Sequence, residues 1–233
     1  MNIKTTYKDL GLIPYKQAWD YQEALFNKIV SQKLENEKLS SEQQKPTDNY
    51  LLFCEHPHVF TLGKSGNEHN MLVNMLQLQQ KQAEFYHINR GGDITYHGPG
   101  QIVGYPILNL SLFVKGVREY IEKLEQSIIN TIKHYDIKGE RMAGATGVWI
   151  DTDKPGKTRK ICAIGVRTSR WVSMHGFALN VNTDLSYFNM INPCGFTDKK
   201  VTSIKQEIGK DANMEEVKKL LRSEIAKEFE MNF

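Results

Sequence analysis

Long apolar runs are missing from this chain of 233 residues, and nothing in it approaches the roughly 18 apolar residues of a membrane span. The first residues, Met1-Asn2-Ile3-Lys4-Thr5-Thr6-Tyr7, hold no apolar run of signal-peptide length. A cytoplasmic protein without a membrane role is expected. Cysteine is scarce: Cys54, Cys162 and Cys194 make an odd number with no C-x-x-C pair. That argues against a disulfide framework. The seven histidines show no ligand spacing, so no metal site is expected, and no motif calls for a cofactor. Charge excess is also missing. A formal net charge of +3 gives no whole-surface attraction to nucleic acid, but leaves room for a local basic patch. There is no internal repeat and no convincing domain boundary. Residues 1–233 therefore read as a single domain.

Periodicity fills in the elements. Residues 15–34 predict a helix, with Ala18, Tyr21, Leu25 and Ile29 on one face. Residues 35–49 are polar and read as a flexible connection. Short apolar runs at 50–54, 59–62, 85–89, 101–108, 148–150, 161–166 and 177–181 predict strands. Residues 116–135 predict the clearest helix, lined by Val117, Ile121, Leu124, Ile128, Ile132 and Tyr135. A last helix begins near Asn213, which has Glu216 at capping-box spacing. Helices and strands do not alternate regularly, so the fold class expected is α+β, a mixed sheet sandwich with flanking helices.

Three segments carry chemical character. Arg90 to Gly100 holds five glycines and prolines in eleven residues. Such backbone can approach a ligand closely and turn its N–H groups on an anion or a carbonyl oxygen. It also reads as a hairpin with two tight turns. No Gly-Lys-Ser/Thr follows it, which excludes a phosphate loop of the Walker type. In the second segment, Lys160 enters the apolar run Ile161-Cys162-Ala163-Ile164-Gly165. Desolvation there would favour a neutral amine that could act as a base, although a solvated strand-end lysine fits the same pattern. Cys162 lies two residues away, on the same face of a regular strand, and is a rival nucleophile or an inert buried thiol. In the third, Cys194 stands between Pro193 and Gly195, where a turn can present a side chain and leave N–H groups for an oxyanion.

Together these segments resemble the lipoyl(octanoyl) transferase family. The resemblance rests on Arg90-Gly91-Gly92 through Thr95-Tyr96-His97-Gly98-Pro99-Gly100-Gln101 with Gly104-Tyr105-Pro106. It continues in Lys160-Ile161-Cys162-Ala163-Ile164-Gly165 and His175-Gly176-Phe177-Ala178-Leu179-Asn180. It ends in Pro193-Cys194-Gly195 with Val201-Thr202-Ser203-Ile204. The matches keep family order over roughly residues 50 to 205. They imply the fold of lipoate and biotin protein ligase catalytic domains. They imply transfer of an octanoyl group from octanoyl-acyl carrier protein to a lysine. The acceptors would be lipoyl domains of 2-oxoacid dehydrogenase E2 subunits and the glycine cleavage H protein. The match to Cys194 implies the thioester-forming nucleophile, and the match to Lys160 the acid/base. Arg90, Gly91, Gly92, Asp93, Ile94, Thr95, Tyr96, His97, Ala163, Ile164, Gly165, Gly176, Phe177 and Ala178 match substrate-contacting segments. One departure is Thr146, where many members carry Pro, in an expected turn near the site.

Two other readings remain at this stage: an ATP-dependent ligase of the same fold, and a non-catalytic acyl-binding protein. A thiol with a reference pKa of about 8.5 needs a neighbouring base or cation to act at neutral pH. Lys160 is the candidate for that role. Both protein substrates are expected to be acidic, and Lys154, Lys157, Arg159, Lys199, Lys200 and Lys205 are the candidate positive surface.

Overall fold

The computed structural model describes residues 3–192 and 199–233. Cys194, with Pro193 and Gly195, lies outside the described residues. Thirteen strands and five α-helices are defined among those described. In chain order they are β1 (Ile3–Lys4), β2 (Thr6–Leu12), α1 (Tyr15–Asn36), β3 (Tyr50–Glu55), β4 (Val59–Leu62), α2 (Met75–Gln80), β5 (Glu84–His87), β6 (Ile94–His97) and β7 (Gln101–Ile107). Then follow α3 (Val117–Lys133), β8 (Glu140–Met142), β9 (Ala145–Ile150), β10 (Arg159–Ser169), β11 (Val172–Asn180), β12 (Lys200–Val201), α4 (Ile204–Ile208), α5 (Met214–Phe229) and β13 (Met231–Asn232).

The main sheet runs β2-β3-β7-β11-β10-β9-β8, with β12 added in parallel to β10. A smaller sheet orders β5-β4-β6, and β1 pairs with β13. This is the mixed sheet with flanking helices that the pattern implied. The central strands read as unbroken apolar runs because both of their faces are covered. Leu51, Phe53, Ile102 and Leu179 face α3 and α5, packing with Leu124, Ile128, Leu221 and Ile225. Leu52, Cys54, Val103, Tyr105 and Ala178 face α1, packing with Ala18, Phe26 and Ile29.

Several elements differ from the sequence reading for identifiable reasons. On α1 the buried residues are Tyr15, Ala18, Gln22, Phe26 and Ile29, and Tyr21 and Leu25 lie to one side. The buried glutamine hides this face from an apolar count. Arg90 to Gly100 is not a hairpin. Ile94–His97 is a strand paired antiparallel with β4, while the following β7 belongs to the main sheet. The Gly98-Pro99-Gly100 passage carries the chain between sheets. Short strands at either end of the chain, β1, β2 and β13, escape an apolar pattern because β2 is largely exposed. Thr146 sits exposed inside β9, and the turn falls two residues earlier at Gly144, whose φ of 73° suits glycine.

Residues 35–49 continue α1 to Asn36 and then form a 3-10 turn at Ser41–Gln43. Asn36 donates to the Lys45 carbonyl at 2.7 Å and accepts from the Lys45 N–H at 3.0 Å. At the C-terminal helix, Asn213 accepts from the N–H groups of Glu215 and Glu216, as an N-cap should.

Candidate functional site

The site begins with small residues placed in register. In the β10–β11 pair, Ala163 faces Ala178 and Gly165 faces Gly176. Cross-strand partners share a face, so four small side chains in two adjoining pairs leave a trough on the α1 side of the sheet. A Cβ would clash at Gly176 and be tightly crowded at Gly165. One at Gly176 would stand 2.1 Å from the Gly104 oxygen, and one at Gly165 3.0 Å from the Gly91 oxygen. The trough becomes a cavity of about 120 Å³, roofed by Ile94, Thr95 and His97 of β6 and by Arg90. Val103, Tyr105, Phe177 and Phe188 complete its apolar wall, and Lys160 stands in its lining.

The Gly-rich turn is bonded against the strand it covers. The Gly91 N–H donates to the Val166 oxygen at 2.9 Å. Arg90 is buried and donates to the Thr61 oxygen at 2.7 Å and its Oγ1 at 3.0 Å. Gly91, Gly92, Asp93 and Tyr96 do not line the cavity. Gly92 makes the turn with φ 85°. Asp93 accepts from Asn70 Nδ2 at 2.6 Å. Tyr96 stacks on Tyr187 and bonds His58 Nδ1 at 2.7 Å. Of the fourteen matched positions, the remaining ten line the cavity.

The two thiol-related expectations at Lys160 separate here. Lys160 pairs with Trp149 and Cys162 with Val148, so Ile161 is an extra residue in a bulge. The bulge turns Lys160 and Cys162 to opposite faces, against the shared face expected of a regular strand. Cys162 is fully buried in the α3/α5 core, and burial raises its thiol well above the usual range. It packs as a core side chain. Lys160 instead extends over the Trp149 ring, with Nζ 4.4 Å from the ring centroid.

Lys160 also lines a second, wider groove of about 710 Å³ with Trp149, Leu72, Phe188, Asn192, Lys199 and Lys200. Asn192 and Lys199 are the described residues on either side of the segment that holds Cys194. Lys160 is thus shared by the cavity and the groove. The candidate basic surface is smaller than expected. Lys154 pairs with Asp151, Arg159 with Asp151 and Glu207, and Lys205 with Asp211.

Sequence reading missed several lining residues. Tyr15 and Phe188 lie far from the motifs in sequence and carry no local signal. Gln101, His175 and Asn180 stood inside matched motifs without an assigned contact. His175 has a signal visible only in the backbone: φ is 59° in mid-strand, rare outside glycine and often found near functional sites. Gln22 of α1 accepts its N–H at 3.1 Å, and its Nε2 meets Asn89 Oδ1 at 2.8 Å. Burial pushes the imidazoles of His56 down to about 4 and of His97 and His175 to about 3, leaving all three neutral.

A sheet with helices on both faces and a lysine at the mouth of an apolar cavity defines a class of catalytic domain. The model of the lipoyl protein ligase A/B catalytic domain matches residues 14–226. The chain superposes on a bipartite lipoate protein ligase from Thermoplasma acidophilum with a TM-score of 0.71 at 12% identity, covering 100% of this chain and 86% of that one. It is 52% identical over 231 residues to an octanoyltransferase of Cytophaga hutchinsonii, covering 99% of this chain and 95% of the relative. It is 54% identical over 222 residues to an octanoyltransferase of Christiangramia forsetii, covering 95% and 94%. The chain belongs to the lipoyl(octanoyl) transferase family. That membership makes it an acyltransferase. Among the described residues, no helix is long and apolar enough to cross a membrane.

Proposed function

We propose that this enzyme takes an octanoyl group from octanoyl-acyl carrier protein and delivers it to the ε-amino group of a lysine on a lipoyl domain. The domains of 2-oxoacid dehydrogenase E2 subunits and the glycine cleavage H protein are the acceptors. Cys194 carries the acyl group between the two steps. Residues 1–233 act as one catalytic domain in the cytoplasm, with 35–49 as its polar connection. The observation that carries this reading is the position of Lys160 between cavity and groove, with both neighbours of the Cys194 segment lining that same groove.

In the first step a neutral Lys160 amine takes the proton of the Cys194 thiol. The thiolate attacks the thioester carbonyl, and the intermediate expels the carrier thiolate. That thiolate receives the proton from Lys160. In the second step the acceptor amine attacks the Cys194 thioester and gives a proton to Lys160. Cys194 leaves as thiolate and is reprotonated from Lys160, which restores the starting state. Backbone N–H groups near the carbonyl hold the oxyanion. The acyl chain lies in the trough of Ala163, Ala178, Gly165 and Gly176, while the arm of the carrier and then the acceptor lysine use the groove.

The trough supports selection for a medium chain. Each buried CH₂ contributes about 0.8 kcal/mol, so six contribute roughly 5 kcal/mol before ordering costs. Burial alone would favour longer chains. The bond from Gly91 to Val166 seals the strand beyond Gly165, and Arg90 covers that end, so a longer chain meets a wall. Lys199 and Lys200 line the groove, and a basic lining suits acidic protein partners.

Intact-protein mass spectrometry after incubation with octanoyl carrier protein tests the proposal. An added octanoyl group is expected in the native enzyme and in Cys162→Ala, and is expected to vanish in Cys194→Ala. Labelling that survives in Cys194→Ala would overturn the nucleophile. ATP with free octanoate, but no carrier protein, is expected to yield no acylated acceptor; product there would make the enzyme a ligase.

A further inference from the structure

Beneath the cavity runs a chain of oriented side chains that the chemistry above does not use. Asn180 Nδ2 donates to the Thr202 carbonyl at 3.0 Å. A carbonyl only accepts, so this bond fixes the amide and leaves Asn180 Oδ1 as the acceptor. Gln101 Nε2 donates to that oxygen at 2.8 Å and to the Tyr96 carbonyl at 3.2 Å. Gln101 Oε1 is therefore the acceptor for His97 Nδ1 at 2.8 Å. His97 is held as the Nδ1–H tautomer. Gln101, Asn180 and Thr202 are each at least 96% buried, with exposures of 1%, 4% and 0%.

The other end of the chain grips Lys160. The Thr202 N–H donates to the Lys160 carbonyl at 2.9 Å, and Val201 pairs with Lys160 in the β10–β12 ladder. Thr202 Oγ1 donates to Glu207 at 2.6 Å, and Glu207 holds Arg159, the residue before Lys160, through two bonds of 2.7 and 2.6 Å. Thr202 directly follows β12, the short strand Lys200–Val201 that comes after the Cys194 segment in sequence. One buried residue thus meets both the backbone of Lys160 and the strand that follows the Cys194 segment.

We propose that Asn180 is a positioning residue which, through Thr202, sets Lys160 and the returning strand against the acyl cavity, with Gln101 and His97 tying that setting to the cavity wall. The inference rests on the Cys194–Lys160 reading of the reaction. Asn180 fixes where the amine stands; it takes no part in bond making.

The test compares the native enzyme with Asn180→Leu, which keeps the branched shape but removes both bonds, and with Gln101→Met, which cuts only the His97 side. The first-order rate of Cys194 octanoylation at saturating octanoyl carrier protein is read together with the half-saturating donor concentration. Asn180→Leu is expected to lower the saturated rate at least tenfold and move half-saturation less than threefold. Gln101→Met is expected to lower the rate two- to fivefold. Amide hydrogen exchange at Thr202 is expected to accelerate at least tenfold in Asn180→Leu. A raised half-saturation with an unchanged rate would make Asn180 only a wall of the cavity and overturn the inference. Unchanged exchange at Thr202 would overturn it too, whatever nucleophile the enzyme uses. Absence of any adduct on native Cys194 would instead refute the proposed function, and exchange would then decide the clamp alone. If Asn180→Leu does not fold, Asn180→Ser replaces it with the same expected outcomes.

Discussion

The two faces of the main sheet are built from the same strands but finished differently. The face toward α3 and α5 is filled with large side chains, Phe53, Leu179, Leu124 and Leu221 among them. The face toward α1 carries Ala163, Ala178, Gly165 and Gly176 side by side and is left hollow. Cys162 lies on the filled face and Lys160 on the other side of the bulge, at the hollow's mouth. Two residues apart in sequence, one packs in the core and the other lines the cavity. Three buried histidines, His56, His97 and His175, add to the contrast, because all lie on or beside the hollow face.

The largest effect that would sharpen this contrast is at Lys160. Lys160→Ala is expected to lower octanoyl transfer by about 10³-fold, the usual scale of acid–base assistance, with little change in thermal midpoint. Steady-state assay and calorimetry read the two quantities, and a variant within tenfold of native activity would break the assignment. Acid comes next. The three histidines have pKa values below their unfolded value of about 6.5, so the folded state binds fewer protons than the unfolded chain. Their stability is fully present above pH 6.5 and is lost as pH falls toward 4 and 3. Each costs up to about 1.4 kcal/mol per pH unit in that window. Urea midpoints measured from pH 7.5 to 5 are expected to be flat above 6.5 and to fall steeply below it; a flat profile throughout would show that the hollow face tolerates charged imidazoles.

On the filled face, Leu124→Ala is expected to cost about 2–5 kcal/mol of unfolding free energy while leaving transfer intact well below the midpoint. Denaturant titration beside an activity assay checks it, and a loss of activity without a loss of stability would contradict the division. On the hollow face, Ala178→Leu adds three carbons to the cavity. It is expected to displace about three methylenes of the chain, roughly 2.4 kcal/mol or about 50-fold in octanoyl transfer. A pentanoyl donor should be nearly unaffected, and equal losses for both donors would remove Ala178 from the chain site.

How much of this was legible depended on the kind of signal. The strands at 50–54, 59–62 and 101–108 were visible because central strands buried on both faces read as short apolar runs. The helix 117–133 was visible because only one of its faces is buried. Asn213 announced the start of its helix through side-chain chemistry. The bulge between Lys160 and Cys162 was not legible, since one extra residue leaves a run of apolar letters looking regular. Nor was the trough, which exists only because Ala163 meets Ala178 and Gly165 meets Gly176 across two strands. The resemblance assigned ten of the cavity's lining positions as substrate contacts, while Tyr15 and Phe188 reach it from elements whose local pattern concerns only packing. Gln22 gave no signal for a related reason: a buried amide that serves His175 looks, in sequence, like a solvated residue.

The central claim is that an acyl group waits on Cys194 between two protein partners. The most direct measurement is a chase. Octanoyl-enzyme is purified away from its donor, then mixed with an acceptor lipoyl domain, and both masses are followed in time. The account predicts that the octanoyl mass leaves the enzyme and appears on the acceptor lysine at a rate no slower than steady-state turnover. An adduct that stays on the enzyme while turnover proceeds with fresh donor would contradict it.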